Sequence, residues 1–325
     1  MLQKKSRSNP VVLVTGGAGY IGSHTCSFLK AVGFNPVVYD SLEFGKQEAV
    51  QWGPFVNGNL LDPDKLEETF HQYDPAVVLH LGAIGNVGRS VQDPRPYYSA
   101  NIAGSINLLN VMRRHDTKSI VFSSSCTVYG ESSGPIREDA PKAPVNAYAR
   151  SKLVIEDGIR DYAQAYGMNY MILRYFNAAG IAAGMLPRPP STLIQKIFLS
   201  AQDPTQPFQI FGSDYSTPDG TAIRDYIHVN DLARANVLAV QHLLSGKPSN
   251  ILNIGSGKGY SVLEVIRAAE KIINQTIPYT VNPRRAGDVS QAAANIEKAR
   301  EVLDFEPQES NLTTILFDEL NNKNR

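Results

Sequence analysis

The stretch that decides the fold is Thr15-Gly16-Gly17-Ala18-Gly19-Tyr20-Ile21-Gly22, which lies between an apolar run and a predicted helix. The run, Val11–Thr15, is rich in β-branched residues and predicts a buried strand. The spaced glycines permit a tight turn, let backbone approach a pyrophosphate and allow close packing of helix on strand. The first N–H groups of the helix then face the phosphates, where the helix dipole favours negative charge. The stretch therefore predicts a dinucleotide site.

Strands and helices alternate along the first half of the chain. The alternation predicts βαβ units, and hence an α/β fold with a doubly wound parallel (Rossmann) sheet. Right-handed crossovers place the ligand crevice at the carboxyl ends of the strands. The predicted strands are 11–15, 35–39, 75–81, 119–123, 168–174, 209–211 and 251–254. The predicted helices are 21–32, 63–72, 96–115, 146–166 and 262–274, with strand, loop and helix over 225–244 and a last helix over 296–303.

The alternation weakens after residue 176, which indicates a second, smaller α/β domain for substrate. Residues 179–191 are rich in Gly, Pro and Ala and are typical of a connector. We expect residues 1–178 with about 222–258 to form the nucleotide domain. Residues 179–221 with 259–325 would form the C-terminal substrate domain. The chain would therefore cross between the two domains more than once.

An acidic residue, Asp40, closes the second predicted strand. A carboxylate there accepts hydrogen bonds from the hydroxyls of an adenosine ribose. A 2′-phosphate would meet a like charge at that position, so NAD is favoured over NADP.

Composition and charge exclude several other functions. Lys plus Arg and Asp plus Glu each count 31, so the chain lacks the basic excess typical of nucleic-acid or membrane-surface binding. The two cysteines, Cys26 and Cys126, are too few for a disulfide framework or a four-cysteine zinc site. No apolar run reaches the length of a membrane span, and no signal peptide is evident. We expect a cytoplasmic protein without a metal.

A possible catalytic set combines a strand end with a helix. Tyr148 and Lys152 are four residues apart and share one face of the predicted helix. Ser123, Ser124 and Ser125 end the strand before it, on the crevice side. A neighbouring ammonium favours the phenolate of a tyrosine, whose pKa is otherwise near 10, and a serine hydroxyl can hold the reacting oxygen. An exposed Tyr–Lys pair without function is the alternative.

Further motifs resemble the extended short-chain dehydrogenase/reductase family, and within it the UDP-glucose (UDP-galactose) 4-epimerases. The resemblance covers residues 11–288, nearly the whole chain. Besides the glycine stretch, the matching segments are Tyr148-Ala149-Arg150-Ser151-Lys152 and residues 122–130, 174–177, 210–215, 219–221, 224–229 and 283–288.

The resemblance implies a role for individual residues. The implied catalytic residues are Ser125, Tyr148 and Lys152. The implied NAD contacts are Gly16, Gly19, Tyr20, Ile21, Gly22, Asp40, Asn59, Leu60, Asn101, Ser123, Tyr148, Lys152 and Tyr175. The implied contacts to the UDP-sugar substrate are Ser125, Tyr148, Asn177, Thr192, Leu193, Ile210, Phe211, Arg224, Arg285, Asp288 and Ala292.

Simpler structural roles remain open for some of these residues. Arg224 and Arg285 carry planar forks suited to a diphosphate, but each also has an acid nearby with which it could pair on the surface. Phe211 either flanks the uracil or belongs to the core. Asn101 either faces NAD or lies inside a helix.

The sequence departs from the family pattern at several positions. Residues 179–191 form a shorter loop without the usual acids. Thr192-Leu193 replaces an Asn-Leu pair, Asn59 replaces an adenine-binding Asp, and Gly85 replaces a Lys near the cofactor ribose. Ala292 stands where some relatives carry a bulky Tyr that limits the size of the sugar. An alanine there would leave room for a 2-acetamido group.

The function implied by the resemblance is NAD-dependent epimerisation at C4 of a UDP-hexose through a transient 4-keto sugar. UDP-glucose and UDP-galactose are the expected substrates, with UDP-GlcNAc and UDP-GalNAc as further candidates. A UDP-glucuronate or UDP-pentose epimerase or decarboxylase is an alternative, and a non-catalytic NAD-sensing scaffold is another. Helices 96–115 and 146–166 resemble a pair that forms a dimer interface in the family, so a homodimer is expected.

Overall fold

The computed structural model of the protein describes residues 9–132, 134–182, 184–185, 192–285 and 287–321. The strands within these ranges are β1 (Val11–Thr15), β2 (Asn35–Asp40), β3 (Phe55–Asn57), β4 (Val77–His80), β5 (Ser119–Ser125), β6 (Asn169–Tyr175), β7 (Asn177–Ala179), β8 (Phe208–Phe211), β9 (Ile223–His228), β10 (Asn250–Ile254), β11 (Gly259–Ser261), β12 (Tyr279–Asn282) and β13 (Gln291–Ala292). Seven of them form a parallel central sheet in the order β10-β6-β5-β4-β1-β2-β3.

Helices connect and cover these strands. They are α1 (Tyr20–Ala31), α2 (Pro63–Tyr73), α3 (Val87–Gln92), α4 (Gly104–Arg114), α5 (Ala147–Tyr166), α6 (Leu193–Gln202), α7 (Val229–Leu244), α8 (Val262–Ile273), α9 (Glu297–Leu303) and α10 (Leu312–Asn321). A π-helical segment, Tyr97–Ala103, leads directly into α4, and a 3₁₀ turn, Cys126–Val128, follows β5.

The central sheet is buried on both faces, as its apolar strands predict. Successive side chains of a strand point to opposite faces. Val12 and Val14 of β1 accordingly belong to the hydrophobic cluster that includes Leu29 of α1, whereas Leu13 belongs to the cluster that includes Leu66 of α2. The predicted doubly wound sheet is thereby confirmed.

The helix that carries Tyr148 and Lys152 has well-defined ends. The Asn146 side chain caps α5 by accepting a hydrogen bond of 2.8 Å from the Ala149 N–H. Gly167 ends the helix in the left-handed region, at a φ of 64°, which glycine adopts without strain. These caps fix where the first turn begins, and with it the position of Tyr148.

Smaller sheets lie outside the central one. β9 pairs with β11, β13 and β7, and β8 pairs with β12 in parallel. A separate hydrophobic cluster joins Phe198 of α6, Ile266 of α8 and Ile315 of α10. β7 follows β6 after one residue, so the chain passes from the large sheet to the small one at the end of β6.

Several predicted boundaries differ from the structure. The loop expected inside residues 225–244 is absent, because β9 runs directly into α7, which His228 caps. The predicted helix 96–115 is divided into the π-helical segment and α4. The expected last helix is present as α9, but α10 follows it. Residues 183 and 186–191 of the expected connector lie outside the described residues.

The described ranges hold no candidate for a membrane-spanning helix or a metal site. No helix there combines the length and apolar character needed to cross a membrane. No group of three or more His, Cys, Asp or Glu residues is placed there to hold a metal ion.

Candidate active site

The glycine stretch forms a tight turn between β1 and α1. Gly16 has a φ of 70°, and a Cβ added to it would lie 2.7 Å from the Gly82 backbone nitrogen. A Cβ on Gly22 would lie 2.2 Å from the Gly16 carbonyl oxygen. Gly19 is the N-cap of α1, so the helix begins at Tyr20, directly after the turn. The turn therefore presents backbone N–H groups at a site that side chains would fill, which suits a pyrophosphate.

Asp40 lies at the end of β2, beside this turn. One of its carboxylate oxygens accepts a 3.0 Å hydrogen bond from the Ala18 N–H and the other a 2.9 Å bond from the Leu42 N–H. Burial raises the pKa of Asp40, and these two hydrogen bonds oppose the rise. Each oxygen has a second lone pair for a ribose hydroxyl. The turn and this carboxylate together fit NAD.

Asn59 and Leu60 lie at the end of β3, next to Asp40. The Asn59 Oδ1 accepts a 2.9 Å hydrogen bond from the Leu61 N–H, and the Leu60 carbonyl accepts one of 3.1 Å from Asn107. The Asn59 side chain therefore stabilises its own turn. A Cβ at Gly85, where the resemblance expects a lysine, would have no atom within 4 Å, so that position is open space.

Asn101 is fully buried and clamps the segment that follows β4. Its Oδ1 accepts a 2.8 Å hydrogen bond from the Ile84 N–H, and its Nδ2 donates to the Ile84 carbonyl at 3.2 Å. The same Nδ2 donates to the Ser151 hydroxyl at 3.0 Å, and Ser151 donates to the Tyr148 carbonyl at 2.8 Å. Asn101 therefore ties the loop after β4 to the first turn of α5.

A second buried chain of hydrogen bonds extends from the glycine turn to Asn101. The Thr15 hydroxyl lies 2.7 Å from His80 Nδ1, and His80 Nε2 lies 2.8 Å from the Ser105 hydroxyl. Ser105 donates to the Asn101 carbonyl at 2.6 Å. Burial lowers the pKa of His80 to about 3, so the ring is neutral. Because Ser105 donates to Asn101, His80 donates through Nε2 and accepts at Nδ1 from Thr15.

Lys152 points from α5 toward the ends of the central strands. Its Nζ donates a 2.6 Å hydrogen bond to the Ser123 carbonyl and lies 5.9 Å from the centre of the Tyr148 ring. Burial lowers the pKa of Lys152 to about 7, and the Glu156 carboxylate opposes the shift. The structure thus brings Ser123, Tyr148 and Lys152 together, as the sequence predicts.

Ser125 and Tyr175 are neighbours at the ends of β5 and β6. Ser125 is buried at the start of the 3₁₀ turn and accepts a hydrogen bond from the Thr127 N–H. The Tyr175 hydroxyl donates to Asn236 at 2.5 Å, and burial raises the Tyr175 pKa. The carboxyl ends of β5 and β6 therefore bring together Ser125, Tyr175, the Ser123 carbonyl and Lys152.

A cavity of about 840 Å³ lies among α6, β8 and β9. Seven of the expected substrate residues line it, and four, Ser125, Tyr148, Thr192 and Ala292, do not. The seven are Asn177, Leu193, Ile210, Phe211, Arg224, Arg285 and Asp288. The nucleotide part of the predicted substrate site is therefore one continuous space.

The cavity holds two guanidinium groups that pair with no carboxylate in the described part of the chain. Neither Arg224 nor Arg285 forms an ion pair with any described residue. Arg224 donates to the Ile223 carbonyl at 2.8 Å, and the Arg285 guanidinium lies 3.6 Å from the centre of the Phe211 ring. The neighbouring acid Asp225 instead accepts hydrogen bonds from Ser256, Gly257 and Ala294. This arrangement suits an anion between the two arginines.

Thr192 and Ala292 lie at the margins of this site. Thr192 is the N-cap of α6, and its buried hydroxyl oxygen has no hydrogen-bond partner among the described residues. Ala292 is buried in β13, in a cluster that includes Cys126, Val128 and Phe176. The side chain of Ala292 therefore packs behind the 3₁₀ turn that follows Ser125.

Sequence reasoning missed several residues of the cavity. Lys196, one turn into α6, adds a third cation to its lining, and Gln209 and Tyr226 also line it. Gln209 directly adjoins the recognised segment 210–215 and Tyr226 lies within the segment 224–229, so both could have been found. Nothing local indicated Lys196, because α6 itself was not predicted.

The sequence is similar to that of a family of known enzymes over most of its length. The NAD dependent epimerase/dehydratase family matches residues 12–255. The UDP-glucose 4-epimerase of Rhizobium leguminosarum bv. trifolii is 43% identical over 302 residues, which cover 91% of this chain and 92% of that protein.

Solved structures are similar over almost the whole chain. The crystal structure of UDP-glucose 4-epimerase from Brucella ovis in complex with NAD has a TM-score of 0.92 and 43% identity, and the match covers 96% of this chain and 98% of that one. The UDP-Glc/GlcNAc 4-epimerase of Campylobacter jejuni has a TM-score of 0.85 and 32% identity, with 96% and 98% covered. The chain belongs to the NAD-dependent epimerase/dehydratase family.

Proposed function

We propose that the protein interconverts UDP-glucose and UDP-galactose by inverting C4 of the sugar, with NAD as its cofactor. The proposal is carried by three features found together in the described residues: a dinucleotide turn, the Tyr148–Lys152 pair, and a cavity with two guanidinium groups that pair with no carboxylate of that part of the chain. The names of the relatives at 43% identity agree with it.

The cavity residues are assigned to the UDP part of the substrate. Arg224 and Arg285 bind the diphosphate, and Phe211 flanks the uracil. The Thr192 hydroxyl, outside the cavity lining at the N-cap of α6, donates to a phosphate oxygen. Anchoring by UDP leaves the sugar as the only mobile part of the ligand. The sugar can then present either face of C4 to the same catalytic residues.

The catalytic step is a proton transfer at O4. Tyr148 accepts the O4 proton as phenolate, and the ammonium of Lys152 stabilises that charge from its position on the Ser123 carbonyl. Ser125 holds the O4 oxygen. Bound NAD supplies an acceptor and then a donor for the C4 hydride. After the sugar has rotated to present the opposite face of C4, Tyr148 returns its proton to O4.

The test compares two tyrosines of the same helix. UDP-galactose is incubated with the purified protein, and UDP-glucose is measured by proton NMR. We expect conversion by the unaltered protein and by Tyr162→Phe, whose hydroxyl contacts Asn110 away from the site. Tyr148→Phe should lose about 100-fold or more, as removal of a general base does. Full activity of Tyr148→Phe, or no conversion of any UDP-hexose, would overturn the proposal.

UDP-GlcNAc and UDP-GalNAc form a second candidate pair. The observation that favours them is the small side chain of Ala292, close behind the turn that carries Ser125. The Campylobacter jejuni relative is named for both kinds of sugar. Because Ala292 is buried in the cluster behind this turn, Ala292→Tyr should push the turn toward the sugar and lower turnover of UDP-GlcNAc more than that of UDP-glucose. Equal turnover of UDP-GlcNAc by both forms would contradict a gating role.

We also propose a homodimer through α5 and the elements packed on it. Five large apolar side chains are exposed on these elements, and α5 contacts both of the other two. The five are Val87 and Val91 of α3, Tyr98 of the π-helical segment, and Val154 and Tyr166 of α5. Val154→Glu should shift the protein to a monomer in size-exclusion chromatography. An unchanged elution volume would remove this face from the interface.

We also propose the expected division into two domains and a cytoplasmic location. The division into a nucleotide domain (1–178 with 222–258) and a substrate domain (179–221 with 259–325) is supported by the separate core of α6, α8 and α10. The structure places the strand Ile223–His228 in the smaller sheets rather than the central one.

A cytoplasmic location is supported by two buried cysteines that form no disulfide.

A further inference from the structure

The hydroxyl of Ser125 is the acceptor of two hydrogen bonds from one residue, Thr127. The Thr127 N–H donates to it at 3.2 Å, and the Thr127 hydroxyl donates to it at 3.0 Å. Both contacts form inside the 3₁₀ turn that directly follows β5, so the geometry is set by local backbone. Ser125 is buried, whereas Thr127 is only partly buried.

This arrangement decides what the Ser125 hydroxyl can do. A serine hydroxyl has one proton to donate and two lone pairs to accept with. With both lone pairs engaged by Thr127, Ser125 can only donate. Its other neighbour is the Cys126 thiol. Burial raises the pKa of Cys126 to about 12, so the sulfur stays protonated and is a weak acceptor.

We propose that Thr127 is a positioning residue that fixes Ser125 as a hydrogen-bond donor to the O4 oxygen of the sugar. The inference rests on the proposed function, in which Ser125 contacts O4. Thr127 itself touches neither the sugar nor Tyr148 in this scheme.

The direction of this hydrogen bond matters for the reaction. When C4 is oxidised, O4 changes from a hydroxyl, which can donate and accept, to a carbonyl oxygen, which only accepts. A donor aimed at O4 therefore binds the 4-keto sugar more strongly than the alcohol. Interactions that strengthen along the reaction raise kcat, whereas uniform binding changes KM. No proton leaves Ser125 or Thr127, since Tyr148 takes the O4 proton.

The test uses a double-mutant cycle with a conservative rescue. Thr127→Val keeps the backbone N–H and the side-chain volume but removes the hydroxyl, and Thr127→Ser restores a hydroxyl. The kcat and KM for UDP-galactose are measured for both, for Ser125→Ala and for Ser125→Ala/Thr127→Val. UDP affinity, measured by calorimetry, monitors the nucleotide site.

We expect Thr127→Val to lower kcat about three- to tenfold, the effect of one hydrogen bond, with KM and UDP affinity unchanged. Thr127→Ser should restore most of the loss. In the Ser125→Ala background, Thr127→Val should have no further effect, because the group it orients is gone.

Three results would overturn the inference. An equal loss from Thr127→Val in both backgrounds would show that Thr127 acts independently of Ser125. A raised KM with unchanged kcat would show that Thr127 binds substrate directly. Full activity of Ser125→Ala would remove the proposed role of Ser125, and the inference with it. In the first two cases, an impaired Ser125→Ala would leave the proposed function standing and refute only the role of Thr127.

Discussion

Glu156 and Arg174 form a buried ion pair with two parallel contacts behind the catalytic helix. The Arg174 Nε lies 2.9 Å from Oε1 of Glu156, and Nη2 lies 2.6 Å from Oε2. Ser124 of β5 also donates to the Glu156 carboxylate. Glu156 is one helical turn after Lys152, so this pair joins α5 to β5 and β6 directly beneath the catalytic residues.

Removal of one partner of this pair should destabilise the fold strongly. Glu156→Gln leaves the Arg174 charge buried without its counter-ion, which costs about 3–5 kcal/mol. Asp157→Asn at the next position removes an exposed pair with Arg160 and should cost less than about 1 kcal/mol. Urea unfolding of both variants measures the difference. Equal midpoints for the two variants would show that the buried pair contributes no more than an exposed one.

The low pKa of Lys152 makes stability depend on pH. Folding lowers this pKa from 10.5 to about 7, so between these values the unfolded chain binds the proton that the folded chain has lost. Stability therefore rises with pH across that window, and below about pH 7 the penalty for burying the charge is constant. Lys152→Met lacks this titration.

The measurement is urea unfolding without cofactor from pH 7 to pH 10. The unaltered protein should gain stability relative to Lys152→Met as the pH rises. The comparison is repeated in a Tyr148→Phe background, because Lys152 lies 5.9 Å from the centre of the Tyr148 ring and affects the titration of its hydroxyl. In that background the difference between the two proteins isolates Lys152. If the stabilities of the two proteins changed in parallel with pH, the lowered pKa of Lys152 would be contradicted.

Asn101 should affect NAD binding through the loop after β4, which its side chain holds in place. Asn101→Ala removes the partners of both the N–H and the carbonyl of Ile84, and each buried unpaired group costs about 1–3 kcal/mol. We expect the loop after β4 to loosen and the dissociation constant for NAD to rise about tenfold or more. The control, Asn110→Ala in the same region, loses a contact to Tyr162 and should bind NAD normally. Isothermal calorimetry measures both. An unchanged NAD affinity for Asn101→Ala would remove its role as a clamp.

Two adjacent arginines should differ sharply in UDP binding. Arg285 lines the cavity, whereas Arg284 is exposed and pairs with Asp214 at 2.8 Å. Loss of a charged hydrogen bond costs about 1.5–3 kcal/mol, so Arg285→Met should weaken UDP binding about 10- to 150-fold. Arg284→Met should change it little, and NAD binding should be unaffected in both. A larger effect at Arg284 would place the diphosphate elsewhere.

Much of the fold was predictable because its signals are local. β1, β2 and the glycine turn were read directly from apolar runs and glycine spacing, and the capping box of Ser261 and Glu264 starts α8 where expected. The elements that were missed depend on distant partners. β7 pairs Asn177 with Tyr226, and β13 pairs Gln291 with Ile223, so neither short strand has a pattern of its own.

The site was predicted in part for the same reason. Tyr148 and Lys152 share a helix, and their spacing alone brings them together. The clamp by Asn101 requires Ile84 and Ser151, which only the tertiary fold brings near. The burial of Ala292 behind Cys126 likewise depends on the pairing of β13 with β9.

The central claim is redox-neutral inversion at C4 within one closed site, and isotope retention tests it most directly. UDP-galactose deuterated at C4 is incubated with the purified protein without added NAD, and the UDP-glucose formed is examined by mass spectrometry and NMR. The account predicts UDP-glucose that keeps the deuterium at C4, with no label lost to water. Loss of the C4 deuterium to solvent, or failure to form UDP-glucose even when NAD is supplied, would contradict it.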